Sequence, residues 1–231
     1  DHTSQIWVID KNPNYWEAGK PRTDTIEFFG VADETARVVA IQTGQVDLIT
    51  ATGGAVKVAQ VNAVRNMEDV DLLAAASPAI SLVIYMEIDT PPFDDLRVRS
   101  ALKKVVDREF LADVILDGLA FPGNDTPIPP FWPVAYQDTP PPQDIEGAKA
   151  LLAEAGYDED NPLKLQMHVA DIHAGALEYV QAYQEMAFEA GVEIELITVP
   201  RARYWSTSWL VNPFGISAWG IRPPVQALAI A

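Results

Sequence analysis

Eight prolines fall between Leu119 and Gln143, and no other feature of the sequence restricts the fold as much. Proline fixes φ and has no backbone N–H to donate, so a stretch this dense can be neither a helix nor an inner strand. The ordered elements must therefore lie on either side of a long connection, and connections of this length in a compact domain usually have a function of their own.

On the amino-terminal side, Ile6-Trp-Val-Ile9 reads as a strand, Lys11-Asn-Pro-Asn-Tyr15 as a turn, and Thr25-Ile-Glu-Phe-Phe29 as a second strand. A helix is expected from Glu34 to Thr43, with Asp33 as its N-cap and Gly44 supplying the left-handed residue after its end. Val46-Asp-Leu-Ile49 follows as a strand candidate, so this region predicts a parallel strand pair joined by a crossover helix. Leu82-Val-Ile-Tyr-Met86 has the composition of a buried strand. Beyond it, Asp95 can cap a helix from Arg97 to about Val105, and Asp107 a second one ending near Gly118.

After the prolines, Asp144 can cap a helix from Ile145 to Ala155 that Gly156 stops. Leu163 to Val169 alternates as a half-buried strand, Ala174 to Ala190 is helical by composition and ends at Gly191, and Val192 to Val199 is strand-like. These three make a second strand-helix-strand unit. Two α/β units with an extended segment near Leu82 between them predict two lobes, with a ligand site in the cleft between the lobes.

Charge and composition remove whole classes of function. The 33 acidic residues against 16 basic ones give a formal charge of -17, which repels nucleic acid and anionic lipid. With no cysteine, disulfides, thiolate catalysis and cysteine-held metals are excluded. No Gly-x-Ser-x-Gly elbow, phosphate loop or dinucleotide fingerprint occurs, and acidic pairs such as Asp94-Asp95 are explained by helix capping, so we expect binding rather than catalysis. His168 and His173 straddle a strand end and a loop without a third strong ligand nearby, so neither a metal nor any other cofactor is expected.

Several strings resemble the dipeptide- and oligopeptide-binding class of periplasmic solute-binding proteins. Asn12-Pro-Asn-Tyr-Trp-Glu-Ala-Gly-Lys-Pro21 resembles that family's Asn-Pro-x-Tyr-Trp turn, and Gln42-Thr-Gly-Gln-Val-Asp-Leu48 its Ser/Thr-Gly-x-x-Asp element. The most specific match is Pro91-Pro-Phe-Asp-Asp-Leu-Arg-Val-Arg-Ser-Ala-Leu102, followed by Val106-Asp-Arg-Glu109 and Gly118. Ala148 to Tyr157 resembles the family helix after the proline loop, and Ser217-Ala-Trp-Gly-Ile-Arg222 the strand returning from the second lobe.

The resemblance implies a type II periplasmic-binding-protein fold of α/β class, with residues 1–82 as part of an incomplete lobe one, 83–218 as lobe two and 219–231 as the start of the return. It implies a substrate-binding component of an ABC transporter that takes a peptide or related amino compound to a membrane permease, in the periplasm or another extracytoplasmic space, with lipid anchoring left open. Alternatives on the same fold are a binder of an opine, sugar acid or oligosaccharide, and a sensory module without transport. The start at Asp1 without methionine and the apolar end at Ala231 lead us to expect an internal piece of a longer chain, whose exposed strand edges could promote self-association.

Candidate ligand contacts are Trp219, Gly220, Arg222, Trp132, Thr52 and Gly53. Many peptide binders of the resembled family carry an aspartate near Trp219 to hold the ligand's amino terminus. Here the segment reads Trp-Gly-Ile-Arg-Pro, and Arg222 would instead favour a carboxylate through paired charge-assisted hydrogen bonds. The alternative for this pair is a surface arginine beside a core tryptophan. Trp132 could wall the cleft or simply anchor the proline loop with Phe131, and Thr52-Gly-Gly54 could present backbone amides or be a plain turn. Tyr204, Trp205 and Trp209 read as core rather than cleft. In the Pro91 motif, the prolines are expected to fix an extended approach, Phe93 to staple the chain to the next helix, and Arg97 and Arg99 to pair with Asp94 or Asp95.

Overall fold

Four aspartates begin four helices. In the computed structural model, which describes residues 6–31, 33–49, 58–65, 67–73, 80–128 and 139–228, each accepts a backbone N–H at the head of its helix. Asp33 accepts from Ala36 (2.7 Å), Asp95 from Arg97 (2.8 Å), Asp107 from Phe110 (2.9 Å) and Asp144 from Gly147 (2.8 Å). Each bond satisfies a donor that the helix itself cannot, a contribution of about 0.5–2 kcal/mol.

In chain order the elements are strands β1 (Ile6–Asp10) and β2 (Thr25–Phe29), helices α1 (Glu34–Gln42) and α2 (Val58–Val64), strand β3 (Ile80–Met86) and helix α3 (Leu96–Lys104). Then come α4 (Arg108–Phe110), which runs on as a π-helical turn over Leu111–Ile115, and α5 (Ile145–Glu154). The chain continues with β4 (Leu163–Val169), α6 (Ala176–Glu189), β5 (Val192–Thr198), α7 (Arg201–Thr207), β6 (Phe214–Gly220) and α8 (Pro224–Leu228). By its internal contacts the chain divides into two units, Asp1–Thr50 with Ala59–Asp71 and Ala51–Val58 with Leu72–Ala231.

In the first unit β1 and β2 form an antiparallel pair in which Trp7 faces Phe28 and Ile9 faces Ile26. Every residue of both strands is exposed. The expected strand at Val46–Ile49 does not form, and the described residues of the first unit hold no parallel pair with a crossover helix. A four-residue segment such as Val46-Asp-Leu-Ile49 becomes a strand only when a neighbour takes up its N–H and C=O groups, and none does so among the described residues.

The second unit holds a four-stranded sheet in the order β3-β6-β4-β5. β4 and β5 are parallel, with α6 as their crossover helix, and β3 lies antiparallel to β6. Leu163, Leu165, Met167 and Val169 of β4 point to one face, joined there by Val192 and Ile194 of β5 and by Phe214 and Ile216 of β6. Val98, Ala101 and Leu102 of α3, Ala148 and Leu152 of α5, and Val180, Tyr183 and Ala187 of α6 belong to the same core. Each large apolar side chain buried there contributes roughly 1.5–3 kcal/mol. β3 is half-buried along its whole length rather than buried, because it is the edge strand of this sheet.

The Pro91 motif turns rather than extends. The Pro91-Pro92 peptide bond is cis, and the Phe93 N–H donates to the Thr90 carbonyl at 2.8 Å. Phe93 is buried against Phe214, with ring centroids 5.1 Å apart. Arg97 pairs with Asp95, its Nε 3.0 and 3.1 Å from the two carboxylate oxygens, and these bonds hold the Asp95 carboxyl down at about 2. Arg99 takes no carboxylate among the described residues and donates to the Phe93 carbonyl.

Candidate ligand-binding site

The end of β6 that carries Trp219 stands clear of the parallel sheet. β6 meets β4 at Gly215 opposite His168, and β4 ends one residue later at Val169, where β5 also ends at Thr198. From Ser217 onward β6 is paired only with β3, Trp219 opposite Ser81 and Gly220 opposite Ile80. The two strands thus leave the sheet as a ribbon on the side where the parallel strands have their carboxyl ends, which is where open α/β sheets bind ligands.

A phenol closes the point where β4 and β6 part. The Tyr204 hydroxyl, from α7, donates to the Ile216 carbonyl, accepts the Ile216 N–H at 3.0 Å and lies 3.2 Å from the His168 carbonyl. Burial pushes its pKa up, so it stays a neutral phenol and a structural one. On the opposite face from the core, the Tyr85 ring lies over Gly215, where a Cβ would come within 2.6 Å of the phenol oxygen. Its hydroxyl donates to the Ser208 carbonyl and accepts the Leu210 N–H, which fixes the α7–β6 connection.

On the ribbon end Trp219 is half-buried, while Gly220 and Arg222 are exposed. The Arg222 guanidinium carbon lies 6.0 Å from the centre of the Trp219 ring, at the outer reach of a cation–π contact. No carboxylate pairs with Arg222 among the described residues. A planar, uncompensated guanidinium beside an aromatic face is suited to a ligand carboxylate, which it can bind through two parallel hydrogen bonds.

The structure therefore brings together three of the six candidates, Trp219, Gly220 and Arg222. Thr52, Gly53 and Trp132 lie outside the described residues, as do Gly54 and Phe131. Of the aromatic cluster, Tyr204 is buried, Trp209 is half-buried and Trp205 is exposed, the last two meeting edge to face at 5.6 Å. His168 and His173 are both half-buried, and the described residues contain no cluster of three metal-binding side chains.

Sequence reasoning missed the residue that holds the proline-rich connection. Arg108 is almost fully buried, and its Nε and Nη2 grip the two oxygens of Asp125 at 3.1 and 2.7 Å. The same guanidinium donates to the carbonyls of Lys103, Val106 and Pro141. One side chain thus ties α3 and α4 to both described ends of the connection. Its only sequence signal was a place in the Val106-Asp-Arg-Glu109 string. A second signal was readable but unread: all 33 acidic residues precede Leu196, while Arg201, Arg203 and Arg222 follow it. The strand end that carries Trp219 thus belongs to an acid-free segment of an otherwise acidic chain.

Comparison with known proteins decides the family. Residues 2–226 match the bacterial extracellular solute-binding proteins, family 5 Middle. The chain belongs to this family. Among curated relatives, the glutathione-binding protein GsiB of Shigella flexneri serotype 5b is 28% identical over 190 residues, covering 81% of this chain and 35% of GsiB. Among solved structures, NikA from Staphylococcus aureus in complex with Ni(L-His)2 is 25% identical with a TM-score of 0.72, over 94% of this chain and 45% of NikA. The ABC transporter-associated periplasmic binding protein DppA from Helicobacter pylori, in complex with the peptide STSA, has a TM-score of 0.77 at 19% identity, over 97% of this chain and 43% of DppA.

The chain spans about a third of the length of the curated family 5 relatives it matches. Its mixed α/β fold is part of the type II periplasmic-binding-protein fold. Family 5 proteins are extracytoplasmic binding proteins rather than enzymes. Among the described residues no helix is long and apolar enough to cross a membrane.

Proposed function

We propose that this chain is part of the substrate-binding component of an ABC transporter, and that the full protein takes a carboxylate-bearing peptide or related amino compound in a cleft between two lobes and delivers it to a membrane permease. The observation that carries the ligand class is Arg222, exposed at the free end of the β3–β6 ribbon beside Trp219 and without a carboxylate partner among the described residues. A cation there repels an ammonium group, so the ligand is held by an acidic end rather than by its amino terminus. The GsiB relatives support this reading, because glutathione is a small peptide with two free carboxylates.

In this reading residues 1–82 contribute to lobe one, 83–218 form lobe two and 219–231 begin the return to lobe one. The pairing of Ile80 with Gly220 supports it, since the chain then enters and leaves lobe two side by side. The protein works in the periplasm or another extracytoplasmic space, free or lipid-anchored. Mass spectrometry of small molecules released from the full-length protein tests the function: acidic peptides or glutathione-like compounds should be recovered. Recovery of compounds without any carboxylate would overturn the ligand class, and turnover of a bound ester or peptide would overturn binding without catalysis.

A further inference from the structure

Helix α3 is the most cationic element of the chain: Leu96-Arg-Val-Arg-Ser-Ala-Leu-Lys-Lys104 carries four positive residues and no acid. Two of the four charges are neutralised. Arg97 takes both oxygens of Asp95, and the Lys104 ammonium lies 2.6 Å from Asp144. The other two, Arg99 and Lys103, have no carboxylate partner among the described residues.

These two stand together by helical geometry. Leu96, Arg99, Ser100 and Lys103 follow the i, i+3, i+4, i+7 spacing, so they share one stripe of α3. That stripe forms one wall of a groove of about 250 Å3, and Met86 and Ile88 line the other. Leu96 and Ile88, which line it, are 66% and 68% exposed, so the groove offers apolar surface beside its charge. Glu87 and Asp89 flank Ile88 in sequence, yet neither lines the groove.

We propose that this groove is a docking site for an acidic, apolar segment of a partner protein, with a carboxylate of the partner between Arg99 and Lys103 and its apolar side chains on Leu96, Met86 and Ile88. Charge complementarity selects that occupant. A nucleic acid or an anionic bilayer presents its charge over a wide surface and meets the repulsion of a chain with net charge -17. A short protein segment places one or two carboxylates within a Debye length, about 8–10 Å, of the local cations. The groove lies at the Met86 end of β3, roughly 16 Å of strand from Ser81, which pairs with Trp219. It is therefore separate from the candidate ligand site, and the inference stands without the transport reading.

The probe is the blocked peptide acetyl-Leu-Glu-Leu-Leu-Glu-Leu-amide, carrying a fluorophore, against its counterpart with glutamine for glutamate. Fluorescence anisotropy with the 231-residue chain at low salt should give saturable binding at least tenfold tighter for the acidic peptide. Amide shifts in nuclear magnetic resonance spectra should concentrate at Ile88, Leu96, Ser100 and Lys103. Lys103→Glu, at an exposed side chain without a bond among the described residues, should weaken binding at least tenfold with an unchanged circular dichroism spectrum. Arg99→Gln should weaken it too, and Lys103→Glu carries the test if the loss of the Phe93 contact unfolds that variant. Equal binding of the two peptides, undiminished binding by Lys103→Glu, or shifts centred on Trp219 and Gly220 would overturn the proposal. The same shifts produced by inorganic phosphate alone, or capture of the chain by phosphatidylglycerol vesicles in preference to the peptide, would overturn it as well.

Discussion

β1 and β4 are both short strands rich in apolar residues, yet they end in opposite environments. In β4 every second residue is buried beneath the helices of the second unit, whereas all five residues of β1 are exposed and Trp7 shows 74% of its surface. The difference lies in the neighbours. β4 has strands on both sides and a helical layer beneath it, while β1 has only β2 among the described residues. Local propensity can start a strand, but only a second layer turns it into stability.

The contrast makes its largest prediction in the core. Phe214 is fully buried between Phe93 and Tyr183, so Phe214→Ala should cost about 3–5 kcal/mol in urea unfolding. Trp7→Ala should stay within about 0.5 kcal/mol, as exposed substitutions do. A comparable cost at Trp7 would show that β1 has packing partners of its own, and the contrast between the units would fail. Hydrogen exchange offers a second view: the amides of β4 and β5 should exchange far more slowly than those of β1 and β2, which pair only with each other among the described residues.

The next effect is electrostatic and also confined to the second unit. Removing Arg108 leaves Asp125 beside a partly buried gap and three carbonyls without their donor, and Arg108→Ala should cost about 3–5 kcal/mol. Tyr204→Phe keeps the ring but removes the hydroxyl that joins β4 to β6, a loss of about 1–3 kcal/mol by thermal or chemical melting. Neither change has a counterpart in β1 or β2, where the described side-chain bonds are exposed.

The four capped helices, the β4-α6-β5 unit and the described parts of the proline-rich connection were legible because each rests on local chemistry: a capping carboxylate, a period of two or of 3.6, a missing N–H. Asp33, Asp95, Asp107 and Asp144 all cap as expected. What failed depended on partners distant in sequence. Val46–Ile49 looks like a strand but has nothing to pair with among the described residues, and β3 looks buried but lies at a sheet edge. Helix α7, only seven residues long, was too short to show a period, and its Tyr204 acts through carbonyls on two other elements. For the site, the Trp219-Gly-Ile-Arg222 string was readable, but its position on a two-strand ribbon beyond the parallel sheet was not.

A smaller effect appears in acid. Hydrogen bonds from the Arg97 side chain and backbone lower the Asp95 carboxyl from 3.8 to about 2. A depressed carboxylate stabilises the fold fully above its unfolded value and loses that contribution as pH falls through the folded one. Stability of the second unit should therefore drop between pH 3.8 and about 2, and Asp95→Asn should flatten that part of the profile. An unchanged profile would mean that the Arg97 contact contributes nothing to folding. The first unit matters differently, because its apolar strand faces favour association: sedimentation of the 231-residue chain should reveal self-association, and a strictly monomeric profile would argue against it.

The central claim is that Arg222 meets a carboxylate of the ligand. The direct test is calorimetric titration of the full-length protein and its Arg222→Ala variant with the acidic ligand recovered from it. Truncating one partner of a desolvated charge pair costs about 2–5 kcal/mol, so the variant should bind well over tenfold more weakly, while Arg97→Ala, at the Asp95 contact of α3, should bind nearly as the parent does. Equal affinity for the parent and Arg222→Ala would return Arg222 to an ordinary surface arginine and contradict the proposed site.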